Sequence, residues 1–179
     1  MAAQGSILGN AVTRKEDPGL LTGSNHYVDD LDIDAARIVF VRSTMAHASL
    51  LEVDISEAVN MPGVLAVYTS DNLEMPAVNQ SEFMDPSMNR PPLAVGRVRF
   101  VGDIIAAIVA ESHSQAVDAA EQVIVDYDPL PANADIEAAL ADDAHILWEG
   151  AENNVCFAIG NEYDGPDVTE GADTVVSER

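Results

Sequence analysis

Residues 104–127, IIAAIVAESHSQAVDAAEQVIVDY, decide the fold, because they contain a complete strand–helix–strand unit. The run from Ile104 to Ala110 is short, apolar and rich in isoleucine, which predicts a buried strand. Ser112 and Gln115 fit a capping box that opens a helix. Apolar residues follow at i, i+3, i+4 and i+7: Ala116, Ala119, Ala120 and Val123. We therefore predict a helix whose flat alanine face packs on a sheet, followed by a strand over residues 124–127.

Shorter signals flank this unit on both sides. Runs of β-branched residues predict four more strands, at residues 37–43, 50–55, 64–69 and 97–101. Residues 54–57 fit a capping box that opens a short helix, and Pro62-Gly63 ends it. Another short helix is predicted at residues 136–140. This order predicts an α+β domain, with a mixed short-stranded sheet and packed helices, rather than a doubly wound sheet.

The chain is predicted to have three parts. Residues 1–36 lack sustained periodicity and are rich in turn signals, so they are predicted to form an ordered but irregular N-terminal arm. Residues 37–141 form the α+β core. Residues 142–179 are acidic and turn-rich, which is typical of a connector.

The charge of the chain excludes one class of partner. It has 31 acidic and 8 basic residues, for a net charge of -23, and its only lysine is Lys15. Phosphate backbones repel such a chain, so nucleic-acid binding is not predicted. An acidic, lysine-poor surface stays hydrated in concentrated salt, which screens its self-repulsion, so we predict a halophilic source. An acidic protein that works at ordinary salt is the alternative.

No catalytic or metal-binding constellation is visible. The four histidines are not at metal-ligand spacing, and none is near Cys156, so no metal site is predicted. Cys156 has no basic neighbour in sequence to lower its pKa, and it is interpreted as a buried structural thiol. His47 follows a strand directly. We interpret it as a histidine that holds a turn through backbone hydrogen bonds, with a ligand or general base as the alternative.

The segment 70–92 is too long for an ordinary connection in a small domain. It contains four prolines, which fix backbone angles, and methionines that suit an adaptable contact surface. Its apolar residues have no helical or strand period that would direct them into the core: Met75, Val78, Phe83, Met84 and Met88. This loop is therefore predicted to carry whatever share of function the domain has.

Sequence signals for export or membrane insertion are not visible. The longest apolar run, Ile104 to Ala110, is far shorter than the roughly 20 residues of a spanning helix. The first residues do not combine a basic start with an apolar stretch, so the predicted location is cytoplasmic.

A series of motifs recurs in a known order along nearly the whole chain, over residues 10–177. The motifs are Arg14-Lys-Glu-Asp17, Leu20-Leu-Thr-Gly23, Tyr27-Val-Asp-Asp30, Val41-Arg-Ser43, Ala46-His-Ala48, Met61-Pro-Gly-Val64, Pro92-Leu-Ala94, Val98-Arg-Phe-Val-Gly102, Ala106-Ala-Ile-Val-Ala-Glu111, Ala119-Ala-Glu121 and Val125-Asp-Tyr-Asp-Pro-Leu-Pro131. Each is weak alone, but the ordered set is specific. It resembles the N-terminal segment of the molybdenum-binding large subunit of the xanthine dehydrogenase, aldehyde oxidase and aerobic carbon monoxide dehydrogenase family.

The resemblance implies a small a/b hammerhead domain. It also implies that the full enzyme hydroxylates carbon centres, or oxidises carbon monoxide, at a molybdenum–pterin cofactor with oxygen from water. Electrons then leave through iron–sulfur clusters and usually flavin (FAD) on partner domains or subunits. In the resembling enzymes the loop at the position of residues 70–92 borders the channel to the molybdenum site, so Phe83 and Met84 become substrate-channel candidates.

The family's cofactor-binding segments and catalytic glutamate lie downstream of this domain, and no residue here matches them. We therefore expect a fragment of an oxidoreductase that is inactive alone and binds no cofactor or metal by itself. The final residues, Val175 to Arg179, are expected to lie inside a strand that leads into the missing segments. The resemblance also implies that the partners are the remainder of the large subunit and the iron–sulfur and flavin domains or subunits. The alternative is a stand-alone, non-catalytic binding or assembly module with the hammerhead fold.

Overall fold

The computed structural model describes residues 14–31, 33–73, 75–78, 81–160, 165–167 and 169–176. The chain divides into two compact units, Met1–Ala36 and Arg37–Arg179. The helices are α1 (Asp17–Thr22), α2 (His113–Ala120) and α3 (Ile136–Leu140). The strands are β1 (Arg37–Arg42), β2 (Ala48–Asp54), β3 (Val64–Thr69), β4 (Arg97–Val98), β5 (Ile104–Ala110) and β6 (Ile124–Pro129). Short 3₁₀ helices cover Val28–Asp30, Ala58–Asn60 and Pro86–Met88.

The first unit contains a helix that the sequence did not predict. Pro18 lies in the first turn of α1, where its missing N–H costs no hydrogen bond. Gly23 ends the helix in the left-handed region, with φ of 69°, and its N–H donates to the carbonyls of Gly19 and Leu20. A helix of 6 residues is too short to show an apolar period. The part of the chain predicted as an ordered but irregular arm therefore includes one short helix.

The second unit contains two antiparallel sheets rather than one sheet. Sheet A has the order β1-β5-β3, and sheet B has the order β4-β2-β6. The predicted α+β class is confirmed, and the run over residues 104–110 is the central strand of sheet A. A central strand that is apolar at every position is typical of a strand that is buried on both of its faces.

The chain crosses from sheet B to sheet A just before this central strand. The predicted strand over residues 97–101 ends early, at Val98. The backbone N–H of Arg99 donates to Asp103 Oδ2 at 3.2 Å, and Gly102 has φ of 93°. This turn leads β4 and β5 into different sheets.

Two clusters of buried apolar side chains pack against the sheets, one for each sheet. Helix α2 lies on sheet A, where Ala116 and Ala119 are fully buried with Ala106 and Ile108. Ser112 caps the helix as predicted, since its Oγ accepts a hydrogen bond from the N–H of Gln115. The cluster under sheet B consists of Ala48, Ala94, Val98 and Ile105. Ile105 belongs to β5, so the central strand of sheet A contributes to both clusters.

Two other local expectations were wrong. Asp54 Oδ1 accepts a hydrogen bond from the N–H of Ser56 at 2.8 Å, which is an Asx turn rather than a capping box with Glu57. The chain then forms a 3₁₀ turn at Ala58–Asn60 instead of an α-helix. At the other end of the chain, residues 174–176 form no strand, and residues 177–179 lie outside the described residues.

Candidate functional site

The loop residues Phe83 and Met84 line an open groove. The groove has a volume of about 570 Å³, and its other described lining residues are Ser81, Phe157, Ala158, Ile159 and Gly160. The side chain of Phe83 is 77% exposed. The structure thus places the two predicted residues together and adds an apolar segment from the distant part of the chain, residues 157–160.

Backbone hydrogen bonds hold the two walls of the groove in place. The N–H of Met84 donates to the carbonyl of Ser81 at 3.1 Å, which forms a turn that presents Phe83. The N–H of Asp85 donates to the carbonyl of Cys156 at 2.8 Å, which joins the loop to the segment that bears Phe157. Cys156 is half-buried, so the prediction that it is buried was wrong, and its interpretation as a structural thiol stays a prediction.

The end of the loop is anchored by a carboxylate. Asp85 Oδ1 accepts hydrogen bonds from the Ser87 hydroxyl at 2.6 Å and from the Ser87 N–H at 2.8 Å. These two bonds lower the pKa of Asp85, the hydroxyl bond contributing most. The 3₁₀ turn that begins here buries Met88, so the expectation that Met88 stays out of the core was wrong. A single turn of helix leaves no period in the sequence from which its buried side could be predicted.

The remaining apolar residues of the loop do not all share this groove. Met75 and Pro76 line a second groove of about 450 Å³ with Leu73, Leu93 and Val95. Val78 pairs with Arg90 through an isolated antiparallel bridge, which closes the base of the loop. Residue 74 and residues 79–80 lie outside the described residues.

The groove at Phe83 offers binding rather than proton transfer. None of its described lining residues is ionisable. An apolar, open concavity favours contact with an apolar ligand or with another protein segment. The arrangement therefore supports a role in shaping access or contact.

His47 forms a separate, buried polar cluster. Its side chain is 2% exposed, and its Nδ1 lies 2.6 Å from the carbonyl oxygen of Pro131. Because a carbonyl only accepts, Nδ1 carries the proton and donates. The carbonyl of His47 in turn accepts from the N–H of Leu130 at 3.0 Å. As predicted, this ring nitrogen bonds to the backbone, but the carbonyl lies 84 residues away, so the bond joins His47 to the segment after β6 rather than holding its own turn.

The other ring nitrogen of His47 has no partner. Nε2 is buried without a hydrogen bond, and the centroids of the His47 and His145 rings are 5.3 Å apart, with the ring planes tilted by 49°. Burial lowers the pKa of His47, the bond to Pro131 opposes this, and the charges of His145, Arg97 and Arg99 lower it further. The lowered pKa favours the neutral ring, and the burial of the ring argues against the general-base alternative.

Two arginines fasten the segment around His145 to sheet B. Arg99 lies 4.2 Å from the Trp148 ring centroid, and its Nε donates to the carbonyl of Leu147 at 3.1 Å. Burial is the largest of the causes that lower the pKa of Arg99. Arg97 forms an ion pair with Glu149 at 3.2 Å. This part of the predicted connector therefore packs on the strands.

The described residues show neither a metal-binding cluster nor a membrane-spanning helix. They contain no group of three or more histidine, cysteine or acidic side chains arranged to hold a metal ion. No chemical step is therefore assigned to a metal held by these residues. Among the helices of the described part of the chain, none has the length and apolar content needed to cross a bilayer.

Comparison with known proteins identifies the domain. Residues 22–131 match the family described as aldehyde oxidase and xanthine dehydrogenase, a/b hammerhead domain. The chain is 37% identical over 149 residues to 6-hydroxypseudooxynicotine dehydrogenase complex subunit gamma of Paenarthrobacter nicotinovorans, covering 78% of this chain and 19% of that protein. It is 34% identical to the carbon monoxide dehydrogenase large chain of Afipia carboxidovorans, covering 82% and 18%.

Solved structures of enzymes in this family also match the chain. Aldehyde oxidoreductase from Desulfovibrio gigas matches with a TM-score of 0.68 at 32% identity, covering 88% of this chain and 18% of that chain. A Cu,Mo-CO dehydrogenase matches with a TM-score of 0.64 at 34% identity, covering 85% and 19%.

These matches define a hammerhead-type α+β domain. The chain belongs to the aldehyde oxidase and xanthine dehydrogenase family, and the predicted family is confirmed. It spans about a fifth of the length of the relatives named above.

Proposed function

We propose that this chain is the hammerhead domain of the large subunit of a molybdenum hydroxylase-type oxidoreductase, and that it shapes substrate access. The family match and the likeness to a Cu,Mo-CO dehydrogenase support the molybdenum context. The share of the relatives that is covered, 18–19%, supports a domain that acts with a larger remainder. The domain alone is inactive in this proposal.

The whole enzyme in this proposal uses a molybdenum–pterin cofactor held by the remainder of the large subunit. Iron–sulfur clusters and FAD on partner domains or subunits carry the electrons away. The described residues contain no group of three or more metal-ligating side chains, and this proposal assigns none of them to the cofactor. The proposed setting is the cytoplasm of a halophilic organism, in agreement with the net charge of -23.

The observation that carries the access role is the groove at Phe83. Phe83 and Met84 project from a loop that is fixed at Asp85, and residues 157–160 form the facing wall. Such a groove can discriminate between ligands by volume, because Phe83, Met84, Phe157 and Ile159 present large apolar side chains to it. Each methylene of fit in an apolar pocket changes discrimination by roughly 1–3 kcal/mol.

Truncation of the groove in the complete enzyme tests this role. We expect Phe83→Ala and Met84→Ala to raise kcat/KM for bulky substrates relative to small ones by about tenfold, because a lost side chain widens the groove. Steady-state kinetics on a series of substrates of increasing size measure this ratio. Molybdenum content, measured by elemental analysis, should stay unchanged.

A matched control separates access from general surface effects. Ile136→Ala, at the exposed start of α3 and outside the groove, should leave the ratio unchanged. Identical kinetics of Phe83→Ala, Met84→Ala and wild type on every substrate would contradict the access role. A wild-type complex without molybdenum would contradict the assignment to a molybdenum enzyme and favour a non-catalytic assembly module.

A further inference from the structure

A single cation lies in the acidic loop that carries the groove residues. Segment 70–92 contains four acidic residues and one basic residue, Arg90. The side chain of Arg90 is 43% exposed, and it contacts both an aromatic ring and a carboxylate. The charge of Arg90 therefore makes specific contacts within the domain in addition to its contact with solvent.

The backbone of Arg90 closes the base of the loop. Its carbonyl accepts a hydrogen bond from the N–H of Val78 at 2.9 Å, in an isolated antiparallel bridge. The chain between these two partners includes Phe83 and Met84, which line the groove. The position of Arg90 therefore sets the place at which both sides of the loop begin.

The side chain of Arg90 joins this base to the turn between the two sheets. Its guanidinium carbon lies 4.4 Å from the centroid of the Phe100 ring, which is within the range of a cation–π contact. Its Nη2 lies 3.9 Å from Asp103 Oδ1, an ion pair that is longer than a hydrogen bond. Phe100 and Asp103 both belong to the turn that leads from β4 to β5.

The turn that Arg90 contacts is itself held by hydrogen bonds. Asp103 is 8% exposed, and its Oδ2 accepts from the N–H of Arg99 at 3.2 Å. The carbonyl of Asp103 accepts from the N–H of Ser43 at 2.8 Å, and the N–H of Gly102 donates to the carbonyl of Ser43 at 2.8 Å. Arg90 therefore ties the base of the loop to a fixed point of the domain.

We propose that Arg90 is a positioning residue for substrate access: its contacts with Phe100 and Asp103 hold the loop so that Phe83 and Met84 line the groove. This inference rests on the proposed function, in which the groove discriminates between substrates by size. Arg90 acts through the two groove residues and not on the substrate. Arginine suits this position because its planar guanidinium can stack on a ring while it pairs with a carboxylate.

A double-mutant cycle in the complete enzyme tests the inference. Arg90→Gln should raise the ratio of kcat/KM for bulky substrates to that for small ones about threefold, because the released loop lets the groove widen. The change should lie in KM for the bulky substrates, whereas a loss of folded enzyme would lower kcat for all substrates equally. When Phe83→Ala and Met84→Ala are already present, Arg90→Gln should change the ratio no further, since the side chains through which it acts are gone.

Arg42→Gln is the matched control. The guanidinium of Arg42 also lies near a phenylalanine, 5.5 Å from the Phe40 ring centroid, and its Nη1 donates to the carbonyl of Gly102 at 3.0 Å. Arg42 thus contacts the same turn, but from β1 of sheet A. Its substitution should leave the ratio unchanged. Phe100→Leu is a second variant that removes the ring instead of the cation, and it should raise the ratio as Arg90→Gln does.

Hydrogen exchange provides a readout that does not depend on the choice of substrate. The peptide of residues 81–90 should exchange faster in Arg90→Gln than in wild type, and at the wild-type rate in Arg42→Gln. Unchanged exchange in Arg90→Gln, an unchanged ratio in Arg90→Gln or Phe100→Leu, or an equal change in Arg42→Gln overturns the inference. A full additional effect of Arg90→Gln on top of Phe83→Ala and Met84→Ala also overturns it. Failure of the proposed function is a separate result, since Phe83→Ala and Met84→Ala would then leave the ratio unchanged by themselves.

Discussion

At the scale of single residues, His47 makes stability depend on pH. In the folded chain its pKa lies below the ordinary value, chiefly because the ring is buried. In the unfolded chain the ring is hydrated and takes up a proton near pH 6.5. As pH falls through this value, the unfolded state binds the proton first and is stabilised. The contribution of neutral His47 is therefore complete above about pH 6.5 and declines below it.

Substitution of His47 isolates this effect. In His47→Gln the fall in melting temperature between pH 7 and pH 5 should be smaller than in wild type, although the variant is less stable at pH 7 because the bond to Pro131 is altered. Calorimetry over this pH range measures the slope. His113→Gln, at the exposed start of α2, is the control and should keep the wild-type slope. Equal slopes for His47→Gln and wild type would disprove the role of this ring.

The two nitrogens of His47 also show what a sequence reveals about one residue. The position between two strand signals is enough to predict a side chain that bonds to the backbone, and Nδ1 does so, although its partner lies 84 residues away. The unpartnered Nε2 and the neighbouring His145 ring could not be predicted. They depend on how the distant segment around His145 packs, and the sequence around His47 does not determine that packing.

At the scale of elements, Asn154 joins segments that have little regular structure of their own. Its Oδ1 accepts from the N–H of Leu147 at 3.0 Å, and its Nδ2 donates to the carbonyls of Ala139 and His145 at 3.1 Å and 3.0 Å. The amide thus fixes the end of α3 against the segment that covers His47. Its neighbour Asn153 makes a local bond to the N–H of Val155 at 2.8 Å.

These two asparagines provide a matched pair. Asn154→Ala should lower the free energy of unfolding by about 1–3 kcal/mol, because it leaves partly buried backbone groups unpaired. Asn153→Ala should lower the free energy of unfolding by clearly less, since the hydrogen bond that Asn153 accepts from Val155 is exposed. Urea unfolding followed by circular dichroism measures both values. Equal losses in the two variants would show that the Asn154 contacts do not hold the segment.

The elements themselves were predictable to different degrees. The strand–helix–strand unit follows from periodicity, because α2 buries its alanine face and β5 is apolar throughout. The division into two sheets was not predictable, since it depends on the turn that Asp103 and Gly102 make after β4. At the groove, the family resemblance pointed to Phe83 and Met84. The facing residues 157–160 were missed, because only the long-range bond between Asp85 and Cys156 brings them there.

At the scale of the whole molecule, like charges face each other across sheet B. Glu52 of β2 and Asp126 of β6 are directly opposite in the register, and both are exposed. Like charges in such a pair are destabilising by up to about 1 kcal/mol. A net charge of -23 adds weaker repulsion throughout the molecule. Salt screens both, since the Debye length falls from roughly 30 Å at 0.01 M to 3 Å at 1 M.

We therefore expect the melting temperature to rise between low and molar potassium chloride, as calorimetry can measure. Asp126→Asn removes the facing charge, so it should raise the melting temperature at low salt by a few degrees, and this gain should shrink in molar salt. Asp142→Asn is the control, because Asp142 is exposed and lies outside the sheets, and it should raise the melting temperature at low salt by less. A melting temperature that is flat or falls with salt would contradict the halophilic interpretation. An equal gain in both variants would leave general repulsion, rather than the Glu52–Asp126 pair, as the cause.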